Sequence, residues 1–197
     1  MIRRATLPDV SAIHALILEL ARYERLESQA IVTAEQLGAS LFGSSPPQAE
    51  ALVVDVGPRA VSGPAEGAAP GPSIVGFALF FHNYSTFLGR RGLYLEDLFV
   101  LPDHRRRGHG RALLQELARL AVERGCGRFE WAVLTWNEPA IRFYRSLGAR
   151  ALEDWSIFRL SGAELLALAG DAAPPGALPS ARGARGGGPP GSGRDSG

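Results

Sequence analysis

The stretch FVLPDHRRRGHGRALLQELARL, residues 99–120, constrains the fold more than any other part of the chain. Its left end, Val100 and Leu101, closes an apolar run that reads as a strand. On the right, Leu113, Leu114, Leu117, Leu120 and Ala121 recur at the spacing of an amphipathic helix. Between the two sit Arg105, Arg106 and Arg107, followed by Gly108, His109 and Gly110. Glycine lets the backbone turn its N–H groups inward with no Cβ in the way. The helix that follows offers unpaired N-terminal N–H groups and the positive end of its dipole. A strand-to-helix turn built this way suits a pyrophosphate. It lacks the third glycine and early parallel βαβ unit of the dinucleotide fingerprint, whereas R-x-x-G-x-G at this junction is the more specific pattern.

Two other uses of three arginines compete with that one. A nucleic-acid patch calls for broader positive charge and interleaved aromatics. This chain of 197 residues carries a formal net charge of +1, and no aromatic residue stands near the run. A solvated charge run ahead of an ordinary helix is the other reading. The composition, 46% hydrophobic and 21% charged, is that of a globular protein with one sizeable core. No stretch reaches the roughly 18 apolar residues of a spanning helix, and MIRRATLPDVSAIH has no signal-peptide core. A cytoplasmic protein with no membrane or nucleic-acid partner is expected. Cys126 is the single cysteine and His14, His82, His104 and His109 share no ligand spacing, so no disulfide within the chain and no metal are expected.

The order of elements follows from periodicity. IRRAT opens as a short strand, and Thr6, Pro8 and Asp9 start a helix whose buried face is Val10, Ile13, Leu16, Ile17 and Leu20. Thr33 and Gln36 open a second helix reaching about Leu41. Strands are expected at 51–56, 73–81 and 91–102, the first two forming a hairpin around a Gly/Pro/Ala-rich connector at 57–72. After the helix from Gly108 to about Arg124 come a strand at 129–134 and a short helix at 137–148. Asn137 caps that helix, Pro139 lies in its first turn and Gly148 stops it. ALEDWSIFRL, 151–160, reads as a last strand, and Ser161 with Glu164 opens a closing helix. The result is an α/β fold, a mixed sheet with helices on its faces, in one domain over 1–170. The tail 171–197 has too few large apolar residues to offset its ordering entropy and is expected to be disordered.

The R-x-x-G-x-G loop, with YLEDLFVLPDHR before it and WNEPAIRFYRSLGA after it, resembles the GNAT superfamily of acyl-CoA-dependent N-acetyltransferases. With ELARYERL near the start, the likeness narrows to the diamine (spermidine/spermine) acetyltransferases and covers about residues 2 to 170. The resemblance implies a mostly antiparallel central sheet, splayed at a cleft for acetyl-CoA. Leu98, Phe99 and Val100 would hydrogen-bond the pantetheine through their backbone, as an added strand would. Arg105, Arg106, Arg107, Gly108, His109, Gly110 and Arg111 would line the pyrophosphate, and Asn137, Glu138, Pro139 and Ala140 would touch the other end of the cofactor. Homodimers are implied as well. The 57–72 connector, the stretch 44–52 and the tail depart from the family pattern.

Acetyl transfer to an amine needs a proton acceptor and a proton donor. An alkylammonium has a pKa near 10.4, so exposing its lone pair at pH 7.4 costs roughly 4 kcal/mol. The departing thiolate needs a proton from a positioned acid. The resemblance gives Tyr144 that acid role; position alone leaves it equally an aromatic packed beside Ile141 and Leu147. Glu96 and Asp97 are neighbours on a strand and point to opposite faces unless a bulge intervenes. The resemblance favours Glu96 as the acceptor-side carboxylate, acting through water. It also places Tyr23, Glu24, Glu130, Trp131 and Ala132 on the acceptor side. Glu24, Glu96 and Glu130 would then form a negative patch, which suits a small cationic amine. Polyamines or diamines are the expected acceptors. Thialysine, an aminoglycoside or a protein N-terminus are the neighbouring alternatives, and a non-catalytic acyl-CoA sensor is the rival outside enzymes.

Overall fold

A computed structural model describes residues 1–57 and 73–170. The expectations for the 57–72 connector beyond residue 57, and for the tail 171–197, lie outside the described residues. The described chain forms two compact units, Met1–Phe143 and the part that begins at Tyr144.

The first unit carries a five-stranded sheet. Its strands are β1 (Ile2–Arg4), β2 (Glu50–Asp55), β3 (Ile74–Ser85), β4 (Arg90–Val100) and β5 (Phe129–Trp131). They lie side by side in chain order, antiparallel throughout except between β4 and β5, which run parallel. That exception is required by the connection: α3 (His109–Glu123) carries the chain from the end of β4 back to the start of β5. β2 and β3, the strands flanking the connector, pair antiparallel as their patterns predict.

Helices α1 (Val10–Glu24) and α2 (Ala34–Phe42) cover one face of the sheet. Ile13, Leu16 and Leu37 pack there against Val53, Phe77 and Phe99. α3 covers the other face through Leu113, Leu114 and Leu117, and Arg124 at its end lies over the Phe80 ring at 5.8 Å. The termini of the first two helices follow their sequence signals. Before α2, Thr33 Oγ1 accepts from the Gln36 N–H at 3.2 Å and Gln36 Oε1 accepts from the Thr33 N–H at 2.9 Å. Thr6 opens a 3-10 turn, Leu7–Asp9, that runs into α1. There the Asp9 carboxylate accepts from the Thr6 N–H and hydroxyl, both at 2.8 Å. It also takes both arms of the Arg3 guanidinium, at 2.7 and 2.8 Å, while Arg3 reaches Asp55 at 2.9 Å. One ion-pair cluster thus ties β1, the start of α1 and the end of β2 together, and Arg3 holds the Asp9 carboxyl well below the usual carboxylate range.

Three expectations need correction. The strand expected over 129–134 ends at Trp131, because β5 pairs only with Leu93–Leu95 and residues beyond it find no ladder partner. The strand expected over 151–160 does not form; Trp155 is 73% and Phe158 94% exposed. The second unit supplies, among its described residues, only the end of α4 (Glu138–Ser146) and the helix α5 (Gly162–Ala169). No strand among the described residues lies beside this exposed segment, 151–160, to complete a ladder, so its backbone groups are left to water. Lastly, Ser161 precedes α5 without a side-chain cap bond.

Candidate active site

The site begins with one extra residue in β4. Phe77 pairs with Phe99 and Leu79 with Asp97, but the next partner of Phe80 is Leu95, so Glu96 is a bulge. Regular alternation would put Leu95, Asp97 and Phe99 on one face. The inserted residue breaks that rule: Leu95 sits opposite Phe80, which faces α3, while Phe99 belongs to the core under α1. Asp97, two residues before Phe99 and opposite Leu79, therefore looks toward α1. The bulge lies just where β4 and β5 stop pairing, after Leu95 and Trp131. Among the described residues, no strand pairs with the β5-facing edge of β4 from Glu96 to Val100, which is the splay that the resemblance implies.

Three carboxylates share this place. Glu96 is exposed, Asp97 is half-buried, and Glu24 ends α1. Burial pushes the Asp97 carboxyl up to about 7, with the charges of Glu96 and Glu24 acting in the same direction. Burial also raises Glu24 above the ordinary glutamate value. A glutamate at a helix C-terminus faces the negative end of the dipole, an unfavourable position for a residue kept only for stability. Asp97 joins Glu24 and Glu96, whereas Glu130 pairs with Arg128 at 2.9 Å and accepts from Asn83 Nδ2 at 3.1 Å. Trp131 stacks on Phe129 at 4.9 Å, and Ala132 is exposed just beyond the sheet.

At the other end of β4 lies the glycine loop. Arg106 has φ +60 and Gly108 φ +83, left-handed conformations that swing the chain from Leu101 into α3. A Cβ added at Gly108 would meet nothing within 4 Å, so the space beside the loop is open. Arg106, Arg107 and Gly108 are exposed; His109 and Gly110 are half-buried and Arg111 is exposed. Gly110 lies under Phe143 of α4, whose ring would stand 3.7 Å from an added Cβ. The first N–H groups of α3 lack intrahelical partners, as at any helix start.

The Arg105 side chain turns away from this opening. Its Nε donates to the Val100 carbonyl at 2.9 Å, and its guanidinium lies 4.8 Å from the Tyr23 ring and 5.3 Å from the Phe99 ring. Tyr23 in turn donates its hydroxyl to Asn137 Oδ1 at 3.2 Å and tilts against Trp136 at 6.0 Å. Asn137 Oδ1 also accepts from the Ala140 N–H at 3.4 Å, as expected of the residue before α4. Glu138 and Pro139 are exposed in its first turn. Arg105, Tyr23 and Asn137 thus join the loop, the end of α1 and the start of α4. Leu98 is half-buried, Phe99 and Val100 buried, and their backbone runs along the unpaired edge. Tyr144 lies on α4 and is the first residue of the second unit.

Sequence reasoning assigned Asp97 only to the strand edge and overlooked Trp136. The clue to Asp97 was its place beside Glu96 on an otherwise apolar strand. Trp136 opens the stretch WNEPAIRFYRSLGA and lies in the turn that the Asn137 N–H closes on the Leu134 carbonyl.

Residues 50–149 match the acetyltransferase (GNAT) family. The chain is 39% identical over 173 residues to the thialysine N-epsilon-acetyltransferase of Bos taurus, covering 86% of this chain and 97% of that protein. It is 34% identical over 197 residues to the L-ornithine N5-acetyltransferase of Arabidopsis thaliana, covering 85% and 86%. With a spermidine/spermine N(1)-acetyltransferase-like protein of Homo sapiens it shares 32% over 171 residues, which is 85% of this chain and 23% of the human protein. Among solved structures, an integron cassette protein from the mobile metagenome of V.cholerae has the same fold, with a TM-score of 0.65, 24% identity and coverage of 86% and 96%.

Proposed function

We propose that this chain, which belongs to the GNAT family of N-acetyltransferases acting on amines, acetylates the terminal amine of a small basic amino acid such as thialysine or ornithine. The observation that carries the amine chemistry is the cluster of Glu24, Glu96 and Asp97 at the point where β4 and β5 part. Enzymes of this family use acetyl-CoA. The open side of the glycine loop and the β5-facing edge of β4 beside Leu98 fit such a molecule, with the amides from Arg106 to Arg111 lining its pyrophosphate. Acetyl-CoA supplies an acetyl thioester, the electrophile for a free amine.

The residues of the chain then do three things. Glu24 and Glu96 draw an ammonium group into a protein of almost no net charge. Asp97 accepts its proton, a task suited to a carboxyl near 7, since the best catalytic pKa lies close to the working pH. This transfers to Asp97 the proton-accepting role that the resemblance gave Glu96, because Asp97 is the more buried of the two and burial raises its carboxyl to about 7. Tyr144 gives a proton to the sulfur that leaves as nitrogen bonds to the acetyl carbon, so the proton released at the amine is balanced by one taken at sulfur.

The amino-acid acceptor is supported by the names of two of the relatives, a thialysine and an ornithine acetyltransferase, which this chain matches at 39% and 34% identity. A polyamine is the second reading, favoured by three carboxylates where a single ammonium needs fewer. A thiol-release assay with acetyl-CoA against thialysine, ornithine, spermidine, putrescine and an aminoglycoside decides between them. The highest kcat/KM is expected for thialysine or ornithine. A polyamine in first place would overturn the acceptor and keep the chemistry; acetyl-CoA binding with no transfer to any amine would overturn both in favour of a sensor.

A further inference from the structure

At the hairpin end of the sheet, on the face covered by α3, lies a cavity of about 540 Å³ lined by His82, Tyr84, Arg91 and Arg124, with Gly89, Arg90 and Gly125 at its margin. Arg91 is at the opposite end of β4 from the glycine loop, so this cavity is separate from the candidate active site. Its charge is one-sided. Every basic side chain of this protein other than histidine is an arginine, since the sequence contains no lysine, and a guanidinium keeps its charge at any ordinary pH. Arg124 pairs through both nitrogens with Glu50, which Arg4 also approaches at 3.6 Å. One carboxylate thus answers two guanidinium groups. Arg124 Nη1 also donates to His82 Nε2 at 3.3 Å. Arg91 is exposed, stands opposite Tyr84 in the β3–β4 ladder, and has no carboxylate in ion-pair reach among the described residues. Its charge reaches His82, and with that of Arg124 and with burial it holds the imidazole below its ordinary value.

We propose that this cavity binds a small multivalent oxyanion, a phosphate or a polycarboxylate, held between Arg91 and Arg124 with the Tyr84 hydroxyl and His82 at its edge. The Arg91 fork, which has no carboxylate of its own among the described residues, matches the oxygens of such groups by charge-assisted hydrogen bonds, and Arg124, whose fork already holds Glu50, adds its charge from the other side. An oxyanion there supplies the negative charge that Glu50 alone does not. The site is independent of the amine chemistry proposed above.

The test is calorimetric titration of the full-length protein with inorganic phosphate and with citrate at constant ionic strength, with and without saturating CoA. CoA occupies the glycine loop, so phosphate binding that survives it arises elsewhere. Saturable binding of either anion is expected to persist in CoA and to weaken at least tenfold in Arg91→Ala. Arg90→Ala, a neighbour on the same hairpin, is expected to weaken it less. Whichever anion binds more tightly names the source. Binding that CoA abolishes, binding unchanged in Arg91→Ala, or no saturable binding by either anion would overturn the proposal. Arg91 is exposed and unpaired, so its loss leaves the fold intact, which the melting temperature of the variant checks.

Discussion

Asp9 and Asp97 are both aspartates withdrawn from water near an end of α1, and their surroundings treat them in opposite ways. Asp9 has a guanidinium across from it and two donors of Thr6 beside it, so its charged form is welcome. Asp97 has two carboxylates for company, so its charged form is resisted. The first arrangement stabilises the fold and has no chemistry to offer. The second costs stability and leaves a proton acceptor near neutrality. Burial alone therefore does not identify a functional carboxylate; the sign of its partners does.

The sharpest test of that contrast is Asp97→Asn. A near-isosteric amide should lower kcat/KM by about 10³-fold if Asp97 is the proton acceptor. It should also erase the rise of activity with pH that a base with a pKa of about 7 imposes. Stability should move the other way. The Asp97 pKa lies above the ordinary aspartate value, so the folded state loses stability as pH climbs from about 4 to about 7. The variant should gain about 2–4 kcal/mol at pH 8 and little at pH 4, read from denaturant midpoints.

Asp9→Ala is the mirror image. It should cost about 2–4 kcal/mol at pH 7, because Arg3 loses one of its two carboxylate partners, and leave the turnover of the folded fraction unchanged. Its carboxyl is held low, so that contribution is present above about pH 4 and fades below it, which acid unfolding of the two proteins compares.

Tyr144→Phe should reduce kcat by about 10²-fold with acetyl-CoA affinity nearly unchanged. An equal loss in both would make Tyr144 a packing residue. Arg105→Gln comes next. Its guanidinium stacks on Tyr23 rather than facing the open side of the loop, so the KM for the amine should rise about five- to tenfold and that for acetyl-CoA less. The opposite split would return Arg105 to the cofactor. Smallest of all, Thr33→Ala removes the cap of α2 and should cost about 1 kcal/mol with no kinetic effect.

Much of this could be read in advance. The apolar spacing from Val10 to Leu20 and from Leu113 to Ala121 placed two helices, because a helix buries one face whatever it packs against. The glycine loop was legible for the same local reason, since φ values of +60 and +83 within four residues need special positions. The last strand failed because β-propensity in ALEDWSIFRL describes side chains and says nothing of a neighbour to pair with. The partners of Glu130 were only half legible: Arg128 stands two residues before it, whereas Asn83 reaches it from β3, a strand that the sequence does not align with it.

The sequence by itself therefore determined the family, the helices, the loop and the residue types from which an amine site is made. Only the tertiary structure decided which carboxylates come together and which of them is withdrawn from water. One inserted residue at Glu96 turns Asp97 toward the end of α1, and its proton affinity depends on charges brought from residue 24 and on water excluded by the packed sheet. Backbone preference is settled among near neighbours along the chain, whereas a pKa is settled by every charge and every water within several ångströms, whatever its distance in sequence.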